Sequence, residues 1–122
     1  MKLDVPDRLI LRQTLNNFTG DIITLDIMDA FLKDLGFSEA EVLEFDLVTK
    51  DGKATWEHNG TKEVEVGKIL HGLVRGVFVQ LNDRRKMNFD QMPLYKRFME
   101  TPRERADREE GEGKKRPLEA VD

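Results

Sequence analysis

Residues 45–58 read FDLVTKDGKATWEH. Phe45, Leu47 and Thr49 alternate with Asp46, Val48 and Lys50, and a period of two marks a strand rather than a helix. Asp51-Gly52 then supplies the residue pair that most readily takes positive φ in a two-residue hairpin turn. A turn there pairs Leu47 with Trp56 and Phe45 with His58. Phe45, Leu47 and Trp56 then share one face, while Asp46, Lys53 and Glu57 lie on the other, so turn and pattern agree. Downstream, residues 62–66, KEVEV, alternate again. A two-residue Asn59-Gly60 turn would set Val64 opposite Thr55, on the wrong face. A three-residue loop, Asn59 to Thr61, sets it opposite Trp56, and a slip of one residue would invert every side chain. The sequence therefore predicts a three-stranded antiparallel meander, with the apolar side chains gathered around Trp56.

Helices flank this segment on both sides. Pro6 suits a first helical turn, where its missing N–H costs nothing. Leu11, Leu15 and Phe18 follow at helical spacing, with Leu9 and Ile10 widening the stripe, and Asn16, Asn17 and Gly20 end it. A second helix, capped by Thr24, carries Ile27, Met28, Phe31, Leu32 and Leu35 on one face, and Gly36 fits the left-handed position after it. Asp26 falls in its first turn, where the helix dipole favours an anion. Ser38 and Glu41 form the S-x-x-E capping box of a short third helix over 39–44. Beyond the meander, residues 68–84 form the main core helix, with Ile69, Leu70, Leu73, Val74, Val77, Phe78 and Leu81. A last helix carries Met92, Tyr95, Phe98 and Met99; either an Asn88/Gln91 cap or Pro93 in the first turn can open it. The order is three helices, three strands, two helices: an α+β class, with a winged-helix-like arrangement as one way of assembling it.

The chain has 122 residues, 20 basic and 24 acidic, for a net charge of −4. Cysteine is absent, which excludes disulfides, thiolate metal sites and cysteine nucleophiles. With two histidines, a three-histidine zinc site is excluded within one chain. Charge is uneven: residues 1–66 carry 7 basic and 14 acidic side chains, and residues 67–100 carry 7 and 3. Residues 101–122 carry 13 charges among 22 residues and no aromatic. Such a segment cannot bury enough apolar area to offset its ordering entropy, so it reads as a disordered tail after one domain at 1–100. No leader or membrane-spanning stretch is visible, which predicts a cytoplasmic protein.

The two leading helices, the strand-turn-strand KDGKATW, EVEVG running into an apolar helix, and LYKRF near the end make a layout. With Trp56, Val64, Val66, Leu94, Tyr95 and Phe98 as its marks, it resembles a group of small uncharacterised proteins encoded by tailed bacteriophages and prophages. The likeness covers about residues 5–99 of the sequence. It implies the infected bacterial cytoplasm as a setting and carries over no catalytic residue.

Two surfaces stand out as candidates. Glu39, Glu41 and Glu44 on the third helix, beside Lys50 and Lys53 at the hairpin turn, offer complementary charge to steer a partner protein. Under a winged-helix reading that third helix would enter the DNA groove, but it has no Arg, Lys, Asn or Gln to read bases. The second surface is Arg84, Arg85 and Lys86, with Lys96 and Arg97 farther on, which could contact phosphates. Their bland explanation is that cations favour helix C-termini.

Asp26 with Asp29, and Glu63 with Glu65, lack the converging oxygen set and the Gly-bearing loop that a hard cation needs. His58 and His71 have no nucleophile at motif spacing. Gly72 and Gly76 each weaken the core helix by about 1 kcal/mol, which points to a close backbone approach within the chain or a homodimer contact. The reading is a non-enzymatic protein-binding accessory or regulatory factor, phage-encoded, without metal or cofactor. Its partner is a host or phage protein, and no membrane is involved. The alternative is a winged-helix-like nucleic-acid binder using the basic cluster.

Overall fold

The computed structural model describes residues 1–101, 103, 104, 106 and 107. The expected disordered tail at 101–122 lies mostly outside the described residues; at its start Thr101 and Glu104 cap each other in a helical turn. Along residues 1–101 the order is β1 (Lys2–Asp4), α1 (Val5–Leu15), α2 (Ile22–Asp34), α3 (Glu39–Phe45), β2 (Val48–Lys50), β3 (Lys53–Thr55), β4 (Thr61–Glu63), α4 (Lys68–Asp83) and α5 (Met92–Met99). The class is α+β, as the sequence predicts.

Side chains at the helix starts fix the boundaries. Asp4 accepts the Asp7 N–H at 2.9 Å and Asp7 accepts the Asp4 N–H at 3.2 Å, a reciprocal cap that opens α1 with Pro6 in its first turn. α2 starts earlier than expected. Asp21, not Thr24, is its cap, because the Asp21 carboxylate accepts the Thr24 N–H at 2.9 Å. Asp26 therefore sits past the first turn; at the other end Gly36 is not left-handed, since its N–H closes a turn on the Lys33 carbonyl, and on α4 Ile69, expected in the core, is exposed. Ser38 and Glu41 cap α3 as the sequence predicts. Before α5 both expected devices are present: Asn88 and Gln91 exchange backbone-to-side-chain bonds in the preceding turn, and Pro93 stands in the first helical turn.

The hairpin also follows the sequence. Val48 pairs with Thr55, Thr49 with Ala54, and Lys50 with Lys53, but the ladder ends there: the expected strand pairing of Leu47 with Trp56 and Phe45 with His58 is absent, because Phe45 closes α3 and Asp46 turns the chain at φ 53°. Asp51 at φ 54° and Gly52 at φ 76° make the two-residue turn with both φ positive. The third strand differs. Residues 61–63 pair antiparallel with β1, Lys2 to Glu63, Leu3 to Lys62 and Asp4 to Thr61. Two two-stranded sheets replace the predicted three-stranded meander. Lys53 and Thr55 of β3 are exposed, so a strand added there would bury little, whereas β1 brings Leu3 into the core beside Val64.

One hydrophobic cluster holds these elements together. Leu11 and Leu15 of α1, Met28 and Phe31 of α2, Val74 and Phe78 of α4, and Leu94 and Phe98 of α5 are buried in it, with Leu3 and Val64 from the strand ends. Phe78 lies 5.9 Å from Phe98 and meets Tyr95 edge-on at 6.2 Å between ring centroids. Each such side chain contributes roughly 1.5–3 kcal/mol by leaving water. Trp56, expected at the centre, is half-buried and lies outside this cluster. The hairpin instead attaches through Phe45, whose carbonyl accepts the backbone N–H groups of Glu57 at 2.9 Å and His58 at 3.2 Å. A Cβ on Gly60 would meet the Phe45 ring at 2.6 Å, so any larger residue where the returning chain crosses that ring would force the ring to move.

Candidate functional site

Arg8 of α1 is fully buried and sets the geometry of α3. Its guanidinium donates to Glu41 Oε2 at 2.7 Å and to Glu41 Oε1 at 3.1 Å. It also donates to the Leu35 carbonyl at 3.3 Å and to the Gly36 carbonyl, and it lies 3.9 Å over the Phe37 ring. One side chain thus joins α1, the end of α2 and the start of α3. The Glu41 carboxyl is pulled down to about 2, chiefly by its bond to Arg8, against an opposing burial effect. Glu41, one of the three expected partner-binding glutamates, is therefore held inside the fold by Arg8.

The rest of α3 faces outward. Glu39, Val42 and Leu43 stand at i, i+3 and i+4, a single helix face. Leu43 is 82% exposed, Val48 on β2 is 51% exposed, and Val42 is partly exposed. The Leu47 N–H donates to the Val42 carbonyl at 2.9 Å, which sets the start of the hairpin against α3. Glu39 and Glu44 are exposed on the helix, and Lys50 and Lys53 on the hairpin. Exposed apolar side chains and exposed charges of both signs therefore occur together on α3 and the hairpin that follows it. The α3 helix presents no basic or amide side chain, so it suits a DNA groove poorly.

The basic residues divide into two groups. Arg97 is half-buried, donates to the Lys2 carbonyl at 3.0 Å and approaches Asp7 at 3.7 Å, so it ties α5 to β1 and α1. Lys96 is exposed on α5. Arg84, Arg85 and Lys86 are all exposed where α4 ends. There the Lys86 N–H donates to the Leu81 carbonyl at 2.8 Å and the Arg85 N–H to the Asn82 carbonyl at 3.1 Å. This is a Schellman closure, with Arg85 at φ 58° in the seat that glycine usually takes. A side chain there costs about 1 kcal/mol.

Phe89, in the same loop, is 86% exposed, and the sequence reading passes over it. Its signal was present: an aromatic between Asn88 and Asp90, off the Tyr95/Phe98 stripe. The bonds between Asn88 and Gln91 bracket it, and Gln91 Nε2 anchors that turn to Thr14 Oγ1 at 3.0 Å.

Gly72 and Gly76 line a groove of about 480 Å³ between α4 and the end of α1, with Phe18, Leu73 and Val77 among its walls. A Cβ added to either glycine would meet nothing within 4 Å. The expected close approach within the chain is therefore absent.

His58 is exposed, and the half-buried His71 ring lies 5.2 Å from Phe98. Asp29 pairs with Lys33 at 3.0 Å, and Glu63 pairs with the Met1 amine. Glu65 is exposed. Among the described residues no group of three or more His, Asp or Glu is placed to hold a metal ion. No helix among them is long and apolar enough to cross a membrane. No protein-family model, curated protein or solved structure matches the chain.

Proposed function

We propose that this chain is a non-enzymatic protein-binding accessory or regulatory factor that grips its partner with α3 and the β2–β3 hairpin. The observation that carries this reading is Leu43, 82% exposed on a helix that Arg8 pins from behind. An exposed leucine on a mobile loop would be ordinary. On a fixed helix, beside Val42 and Val48, it is a preformed anchor whose binding costs little ordering entropy. Glu39 and Glu44 on one side, and Lys50 and Lys53 on the other, would steer and orient the partner. We take that partner to be a host or phage protein of the bacterial cytoplasm, the setting that the resemblance to phage and prophage proteins implies.

The test is capture from a bacterial lysate by the wild-type chain, by Leu43→Asp and by the double charge reversal Glu39→Lys, Glu44→Lys. The expected result is one retained partner whose binding falls by roughly 30-fold with Leu43→Asp, as for an interface hot spot. Circular dichroism and the urea midpoint should hold in both variants. An empty eluate, or an unchanged one from Leu43→Asp, rejects the reading.

A further inference from the structure

In the loop between α4 and α5 the backbone closes the helix, but the charged and aromatic side chains it carries bear on no other element and not on the α3 face. Three consecutive cations, Arg84, Arg85 and Lys86, are exposed. The middle one sits at φ 58°, where glycine would be less strained. Strained backbone of this kind gathers at functional sites. Three residues on, Phe89 presents its ring to water from a turn closed by Asn88 and Gln91 and anchored to Thr14. Phe89 follows Lys86 by three residues and Arg84 by five, so at most roughly 18 Å of chain holds the cations and the ring together.

We infer that this loop is a binding site for single-stranded nucleic acid, with phosphates held by Arg84, Arg85 and Lys86 and a base stacked on Phe89. Charge complementarity argues for the occupant: residues 67–100 carry 7 basic against 3 acidic side chains in an otherwise acidic chain. An aromatic beside cations is the combination that grips single strands, since every base has a face to stack and every nucleotide a charge. A duplex hides its base faces and would leave the ring idle. An anionic membrane fits less well, because inserting Phe89 would carry Asp90 into the headgroup layer. Stacking leaves Asp90 in water.

The site deepens the basic-cluster expectation and narrows it. Arg97 drops out, being bonded to Lys2 and Asp7, and Phe89 joins. It stands on different elements from the α3 face, so either reading can fail alone.

The test is fluorescence anisotropy of the full chain with labelled oligothymidylate and oligouridylate of about 16 nucleotides, a matched duplex, and phosphatidylserine vesicles, across a salt series. Single strands should bind at low salt, with a log–log salt slope of about −2 for three cations. Preference for thymidylate or uridylate then tells DNA from RNA. Phe89→Ala should weaken single-strand binding by roughly tenfold or more. Arg85→Gly should reduce the slope by about 0.7 while raising the thermal midpoint, because it removes a charge and relieves strain together. No single-strand binding at low salt overturns the proposal. So does duplex binding of equal strength that ignores Phe89→Ala, or Phe89-dependent binding to vesicles but not to oligonucleotides.

Discussion

A guanidinium with no access to water must satisfy its donors inside the protein. Arg8 does so with Glu41 and the carbonyls of Leu35 and Gly36, partners 27, 28 and 33 residues away in the chain. That distance is why its role was not legible in the sequence. A lone arginine in an amphipathic helix reads as a solvated charge, and only folding brings its partners to it. Glu41 was half legible: its capping bond to Ser38 is local and visible, its bond to Arg8 is not. Charge reversal at Glu41, unlike at Glu39 or Glu44, therefore attacks the fold. Arg8→Ala should lower stability by about 3 kcal/mol, because two carbonyls and a carboxylate lose their donor together. The pH dependence has a definite sign. Glu41 titrates near 2 in the fold against an ordinary 4.5. Its contribution is complete above about 4.5 and is lost as pH falls towards 2. Glu41→Gln should therefore be less stable than wild type at neutral pH, with the gap closing on acidification. Urea midpoints through that range measure it. Asp7 has the opposite sign, since burial raises its carboxyl and its contribution is lost as pH rises.

At the scale of elements, local signals were read well and distant ones were not. Asp51-Gly52 fixes its own turn, and the alternation on either side fixes the register, so the hairpin needs nothing from elsewhere. KEVEV alternates equally well whichever strand it joins. Its true partner, Lys2–Asp4, is three residues long and has no period of its own to announce it. The helices were legible from their stripes and caps; the start of α2 was misplaced because Asp21 and Thr24 are both good caps at i and i+3. The glycines of α4 were legible as an anomaly, but their cause was not. Both face open space, so alanine at either position adds no clash and should stabilise the chain by about 1 kcal/mol through helix propensity. Thermal melts of Gly72→Ala, Gly76→Ala and the double variant check this. A loss of stability would mean that the groove floor is covered in the folded protein.

At the scale of the molecule, the centre of the core lies away from the hairpin. Trp56 is the single tryptophan and drew the sequence reading because a residue of that size can bury the most area. Area is gained only where other elements converge, and here they converge on Phe31, Phe78 and Phe98, with Leu3 and Val64 closing the cluster from β1 and the end of β4. The hairpin extends from this body on the Phe45 contact and keeps its polar and apolar tips outward. That position leaves it exposed, as the proposed docking role requires. The same division orders the stability. Leu3→Ala removes a fully buried side chain that also holds β1 against the body, and should cost about 2–5 kcal/mol. Out of a total of roughly 5–15 kcal/mol for such domains, that is enough to move the urea midpoint by ~1 M or more. Trp56→Ala removes a larger side chain from a half-buried site outside the cluster and should cost less than Leu3→Ala, although volume alone predicts the reverse. Urea unfolding of the two variants, followed by far-ultraviolet circular dichroism so that the lost tryptophan does not matter, decides between them. A costlier Trp56→Ala would return the hairpin to the centre of the fold and take from the α3 face the solvent exposure on which the proposed docking role depends.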